Sequence, residues 1–193
     1  MRMTRIVAPT AYPVSLVEVK SHCNIYHSDW DANLDRLIAS ITQRLDGYEG
    51  ILGRALMPQT WRMSCDCLND NEIDIPLPPL ISIDSLQYID STDVLTTITD
   101  AEYQIINNDK WSSKLRPVYG TVWPVAKDQP DSVYLTFTAG YPVGEFPEAI
   151  KHAMLMIISH WNEQREDMLL GSTPHEILHS AKDLLAPYRR IPL

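Results

Sequence analysis

Apolar residues recur at three- and four-residue spacing through Ile150, Ala153, Met154, Ile157 and Trp161, and Leu155 and Ile158 widen that stripe well past a single seam. The pattern predicts one long, largely buried helix over residues 146–167. Pro147 suits its first helical position, where a missing N–H costs nothing, and Glu148 sets negative charge on the positive end of the helix dipole. From Asn162 onward the residues turn polar, so the helix is expected to leave the core and end at a surface. A second stripe, Leu34, Leu37, Ile38, Ile41, Leu45, Tyr48 and Leu52, predicts a helix that Gly53 stops. Gly47 and Gly50 weaken its last turns by about 1 kcal/mol each relative to Ala, which predicts fraying or close packing there. A short helix ending near Cys23 opens with a capping box, Ser15 and Glu18, and the last helix with another, Thr173 and Glu176, with Pro174 between them. Ile177, Ala181, Leu184 and Leu185 give that last helix an apolar side, and Pro187 ends it.

After Leu56 the period changes from helical to two. Trp61, Met63, Cys65 and Cys67 alternate with Arg62, Ser64 and Asp66, the pattern of a half-buried strand over residues 60–68. Further strands are expected over residues 72–75, 81–89, 103–106 and 132–138. Pro76, Pro78 and Pro79 cannot serve a central ladder, so they mark an ordered crossing or an edge. Residues 112–130 read as a loop pinned by Trp123 and Pro124, and residues 1–12, which show no period, as an arm. The class is therefore α+β: a small helical bundle with an antiparallel β insertion in the middle of the chain. One domain over residues 1–193 is expected, with a flexible arm (1–12), a helical segment (13–56), a β-rich insertion (57–140), C-terminal helices (146–187) and a tail (188–193).

Composition narrows the class further. A chain of 193 residues, 45% apolar, can fill one sizeable core. No run approaches the roughly 18 apolar residues of a membrane span, and the N-terminal stretch lacks the apolar core and cleavage site of a secretory signal. The protein is expected to stay in the compartment where it is made, without a membrane partner. Three cysteines, Cys23, Cys65 and Cys67, form no disulfide framework and point to a reducing compartment.

The net charge of -9 is unevenly spread: between Met63 and Asp109 there is no Lys or Arg, and the acidic residues of that segment carry about the whole imbalance. Basic residues gather toward the two ends, at Arg2, Arg5, Arg189 and Arg190. An acidic domain of this kind is ill suited to gripping phosphates, since tight nucleic-acid binding rests on a basic patch. A solvated acidic face that aids solubility is the simplest account of the charge.

The motif that comes nearest to chemistry is His175, Glu176, Ile177, Leu178 and His179, which satisfies H-E-x-x-H. On a helix its histidines fall one turn apart on one face, where they can share a zinc ion with the glutamate as base for a bound water. The motif begins in the first turn of its helix, only 14 residues follow it, and Lys182 stands where the extended metal-binding form needs glycine. Two exposed helical histidines are the reading kept, and a zinc-dependent hydrolase is the alternative. Cys65 and Cys67 place two thiols on one side of a strand, but no second close pair accompanies them, and alternating core residues suffice. The acidic run over residues 69–74 has Ile75 where a calcium loop needs glycine and no closing glutamate. With no phosphate loop and no nucleophile elbow, the residues indicate no catalytic, cofactor or metal site. Trp161 and Arg165, at helical spacing, are a candidate contact patch, although core packing accounts for Trp161 more simply.

Taken together, these segments resemble the head-tail connector (adaptor, or head-completion) proteins of long-tailed bacteriophages, a family also met in prophages and gene transfer agents. Pro13, Val14, Ser15 and Leu16 with Glu18 and Lys20 resemble the family's opening helix, and residues 31–38 its second. Gly53, Arg54, Ala55 and Leu56 followed by Gln59, Thr60 and Trp61 are similar to its helix exit and first strand. Leu77, Pro78, Pro79 and Leu80 with Ile83, Ser85 and Tyr88 resemble the start of its sheet; Trp123, Pro124, Ala139, Gly140 and Tyr141 match later turns. Pro147, Ile150, Lys151, Ala153, Trp161, Arg165 and Glu166 match its long helix, and residues 184–189 its ending. His175 and His179 are not expected in the family pattern, and residues 110–120 fit it less well.

The resemblance implies a non-enzymatic subunit without a cofactor. About a dozen copies form a homo-oligomeric ring below the portal, joined by heterologous contacts. The ring extends the DNA channel without sequence-specific binding and joins the head to a neck, stopper or tail-completion protein. It is expected in the virion at the head-tail interface, and in the host bacterial cytoplasm during assembly. Arg2, Arg5, Asp70, Glu72, Asp74, Arg165, Tyr188, Arg189 and Arg190 are the candidate subunit or partner contacts. The acidic insertion is expected either to line the channel or to meet a neighbour's basic ends, and residues 1–12 and 186–193 to order only in the ring. A generic scaffold domain outside any virion is the remaining alternative.

Overall fold

A computed structural model of the chain describes residues 1–68, 72–108, 112–142, 144–163 and 179–190. The fold is α+β, and the chain divides into two compact units. One is formed by residues 1–10 and 57–142, the other by residues 11–56 and 143–193.

The first unit is built on strands β1 (Arg2–Val7), β2 (Gln59–Cys65), β3 (Ile73–Ile75), β4 (Leu80–Ile89), β5 (Leu95–Ile98), β6 (Tyr103–Asn108), β7 (Ser112–Pro117) and β8 (Val133–Ala139). Five of them form an antiparallel sheet in the order β1-β2-β8-β4-β5, and three form a second in the order β3-β7-β6. β8 lies at the centre of the larger sheet and alternates strictly: Val133, Leu135, Phe137 and Ala139 are buried, and Tyr134, Thr136 and Thr138 half-buried. Its neighbours are in matching register. Trp61 and Ile83 flank Phe137, and Met63 and Leu86 flank Leu135, so the apolar side chains of three strands meet on one face. Gly140 follows β8 at φ +134, and a Cβ there would lie 2.3 Å from the Met57 carbonyl oxygen, so only glycine lets the two backbones pass.

The second unit contains helices α1 (Leu16–His22), α2 (Asp31–Leu45), α3 (Glu148–Glu163) and α4 (His179–Leu185), with a 3-10 turn at Ala186–Tyr188. α3 packs against α1, α2 and α4. Its buried positions, Ile150, Ala153, Met154, Ile157, Ile158 and Asn162, face Leu34, Ile38, Ile41 and Leu45 in the same core. α1 has the expected capping box, in which Ser15 Oγ accepts from Glu18 N and the Glu18 carboxylate accepts from Ser15 N. Among the described residues no helix is long and apolar enough to cross a membrane.

Several expectations change. Residues 1–12 are not a structureless arm, because β1 within them pairs with β2 from Arg2 opposite Ser64 to Val7 opposite Thr60. Being an edge strand with every residue but Met3 exposed, it needs no alternating side chains and left none to find. β5 and β7 were also not expected. β7, Ser-Ser-Lys-Leu-Arg-Pro, is polar and is held by backbone ladders to β3 and β6 on either side. α2 ends at Leu45 rather than at Gly53: Asp46 turns extended, Gly47 adopts φ +86, and Tyr48 stays exposed. The segment after it folds back on itself, with Gly47 N donating to Arg54 O at 2.9 Å and Leu56 N to Asp46 Oδ1 at 2.8 Å. A Cβ on Gly50 would fall 2.4 Å from Asp46 O, so this glycine marks close packing.

α3 starts at Glu148, two residues after the expected start at 146, so Pro147 stands just before the helix rather than in its first position. The Pro147 carbonyl accepts from Lys151 N at 3.2 Å. Trp161 and Leu155 are half-buried rather than core. Cys65 ends β2 half-buried and Cys67 is exposed, so the alternation stops one thiol short of the expected pair. The capping box at Thr173 and Glu176 and the helix end after Glu163 lie outside the described residues.

Candidate subunit interface

The basic residues of the N-terminal segment sit on β1. Arg2 lies 3.7 Å from Asp131 Oδ2 while 74% of its side chain remains exposed, and the Arg5 guanidinium stands 5.8 Å from the centre of the buried Trp61 ring. Opposite Thr4, Arg62 of β2 adds a further exposed cation, 6.0 Å from the Tyr134 ring. One edge of the five-stranded sheet is therefore basic.

The acidic candidates fall elsewhere in the same unit. Glu72 and Asp74 lie at and beside β3, and Lys114 of β7 reaches both, at 2.8 Å and 3.8 Å. The Lys114 ammonium holds the Glu72 carboxyl below its ordinary range, and Glu72 first and Asp74 second hold the lysine above its own. The acidic insertion thus answers part of its charge internally. At the other end of the larger sheet, the β4–β5 turn is organised by Asp90, whose Oδ1 accepts from Thr92 N at 2.7 Å and Val94 N at 3.1 Å. The Thr92 hydroxyl bond leads those that depress its pKa. Past β5, Asp100 accepts from the Tyr103 hydroxyl, and Glu102 Oε2 accepts from Thr99 N at 3.1 Å. Burial, then the Asp100 carboxylate, pushes the Tyr103 phenol up.

In the second unit the C-terminal residues are tied down. Tyr188 sits 5.9 Å from the buried Arg54 guanidinium, Arg190 N donates to Leu52 O at 2.9 Å, and Arg190 Cβ would be 3.3 Å from a Cβ on Gly53. Arg189 is exposed. The expectation that residues from 186 onward lack order outside a ring is thereby corrected for residues 186–190, which pack on the segment after α2. Asp70, Arg165, His175 and Glu176 lie outside the described residues; His179 opens α4. Among the described residues no group of His, Cys, Asp or Glu is arranged to hold a metal ion.

The seven described candidates divide between the two units. Arg2 and Arg5 share a strand, Glu72 and Asp74 share a lysine, and Tyr188 to Arg190 belong to the other unit. Sequence reasoning missed an ion pair in the second unit: Lys151 of α3 reaches Glu18 of the α1 capping box at 2.9 Å. Bonds from the Ser15 hydroxyl and amide, then from Lys151, lower the Glu18 pKa to about 2. The expected loop over residues 112–130 begins only after β7, and in it Tyr119, Val122 and Val125 are 97%, 88% and 89% exposed. Their aperiodic spacing beside Gly120 and Pro124 is that of a loop rather than of a strand.

No family model matches the chain, and no curated protein does. Among solved structures, a chain in the neck of an empty GTA particle computed with C6 symmetry matches with a TM-score of 0.73 at 17% identity, over 100% of this chain and 97% of that one. The chain has the fold of a neck component. Two further matches are a chain in the virion of a native gene transfer agent (GTA) particle, TM-score 0.73 at 18% identity, and one in the neck of a native GTA particle computed with C12 symmetry, TM-score 0.70 at 18% identity. Both cover 100% of this chain and 97% of the other, so the similarity leaves out neither unit.

Proposed function

We propose that this chain is a structural, non-enzymatic head-tail connector (adaptor) subunit of a phage, prophage or gene-transfer-agent particle. The carrying observation is the end-to-end match of the fold to chains in GTA necks. Residues 1–193 act as one connector domain, a small helical bundle bearing the β insertion. The C6 and C12 symmetry with which those necks were computed supports a ring of repeated copies. The ring sits below the portal, extends the DNA channel without reading sequence, and binds the next neck, stopper or tail-completion protein. The chain works in the virion after assembling in the host cytoplasm.

The net charge of -9 suits a channel wall that DNA slides past. The candidate residues Arg2, Arg5, Asp70, Glu72, Asp74, Arg165, Tyr188, Arg189 and Arg190 form contacts between copies or with these partners. Deleting the gene from a particle-producing strain tests the reading. Filled heads and free tails that fail to join are expected; joined, infectious particles in normal yield would refute it.

A further inference from the structure

The two open edges of the five-stranded sheet carry opposite charge. Among the described residues, β1 and β5 are its first and last strands, each hydrogen-bonded within the sheet to one neighbour. The β1 edge carries Arg2 and Arg5, with Arg62 on the adjoining β2, and no acidic residue of its own strand; Asp131 pairs with Arg2, which keeps 74% of its side chain exposed. The β5 edge is bracketed by Asp90 and Asp93 before it and Asp100 and Glu102 after it, with no Lys or Arg between residues 89 and 102. Lys127, bonded to Asp93, answers only one of these four. Both edges also leave apolar side chains in water: Ile6 and Val7 on β1 are 48% and 52% exposed, and Val94 and Leu95 at β5 are 55% and 52% exposed.

Sheet edges are commonly charged to keep them apart, and one sign on both edges would serve that end. Opposite signs do the reverse. A β1 edge meeting another β1 edge faces arginine with arginine, and β5 against β5 faces carboxylate with carboxylate, so both symmetric pairings are repelled. Only β1 against β5 joins unlike charge to unlike charge and apolar to apolar. We infer that the β1 edge of one copy docks on the β5 edge of the next, a head-to-tail contact of the kind that closes rings. The occupant is a second copy of this chain, and the inference rests on the connector reading above.

The test compares four proteins by light scattering and electron microscopy, alone and mixed with the portal protein encoded in the same gene cluster. They are the wild type, Arg2→Glu with Arg5→Glu, Asp100→Lys with Glu102→Lys, and the chain carrying all four changes. Each two-residue reversal is expected to lower the ring fraction about tenfold or more, and the fourfold swap to restore it, because both edges then change sign together. Arg5 rests on Trp61 and Glu102 caps the turn after β5, so a second probe guards against misfolding. In a Cys67→Ser background, Ile6→Cys with Leu95→Cys is expected to give a disulfide ladder of covalent multimers on mild oxidation of the ring. Wild-type rings that survive both reversals, with no ladder, would overturn the edge contact and leave the connector reading standing. A wild type that forms no ring, alone or on the portal, would overturn both.

Discussion

Glu18 is the residue whose removal tests the second unit most cleanly, because its carboxylate serves two elements at once. One oxygen closes the α1 capping box, accepting from Ser15 N at 2.8 Å and from Ser15 Oγ at 2.7 Å, and the other accepts from Lys151 Nζ of α3 at 2.9 Å. Glu18→Gln keeps an oxygen acceptor for the cap and removes the charge. A fall in pKa from 4.5 to about 2 would correspond to about 3 kcal/mol if all of it stabilised the fold. The Glu18 side chain is 41% exposed, however, and solvent screening of an open pair brings the expected cost to about 1 kcal/mol, close to that of a lost helix cap. Because the folded carboxyl is the more acidic, the contribution is fully present above about pH 4.5 and is lost as the pH falls through about 2.

Urea unfolding followed by circular dichroism, with wild type and variant compared at neutral pH and at pH 3, reads this directly. The gap between them is expected to narrow at the lower pH. Lys151→Met should cost a similar amount alone and little on top of Glu18→Gln, since both remove one pair. A gap unchanged at pH 3, or fully additive costs, would refute the assignment.

Two further perturbations probe the first unit. Phe137 is fully buried on the central strand between Trp61 and Ile83, so Phe137→Ala should cost about 3 to 5 kcal/mol in the same unfolding assay; a loss below 1 kcal/mol would mean that the sheet face is not packed as described. Reversing Asp70, Glu72 and Asp74 to lysine should impair DNA passage or assembly, and unchanged particle yield and infectivity would remove that segment from both roles.

Elements with a buried face were legible in the chain. α3 announced itself through its apolar stripe, and β2, β4 and β8 through alternation or apolar runs, because burial imposes a period on side chains; α1 announced itself through the capping residues Ser15 and Glu18. What escaped was structure with too few buried apolar side chains to set a period: β7 buries Leu115 and Ser113 within an otherwise polar run. β1 is an edge strand with almost no buried side chain, and β7 is a polar strand paired on both sides. The apolar period of α2 continues through Tyr48 and Leu52, yet the chain turns at Asp46, where Gly47 and the close approach at Gly50 decide the backbone and hydrophobicity does not.

The candidate contacts were half legible for the same reason. The separation of acidic middle from basic ends is a property of composition. That Arg2 and Arg5 occupy one sheet edge while Asp90, Asp93, Asp100 and Glu102 bracket the opposite one depends on strand order, which no local pattern encodes. Tyr188 and Arg190 looked like a free tail until the segment after α2 supplied Leu52 and Arg54 as partners.

The central claim, a ring-forming connector, is tested most directly by the particle mass of the wild-type protein alone and mixed with its portal, measured by light scattering with electron microscopy of the same samples. A closed ring of this chain, free or seated on the portal, is the predicted result. A single copy that ignores the portal would contradict the account and reduce the likeness to GTA necks to one of fold.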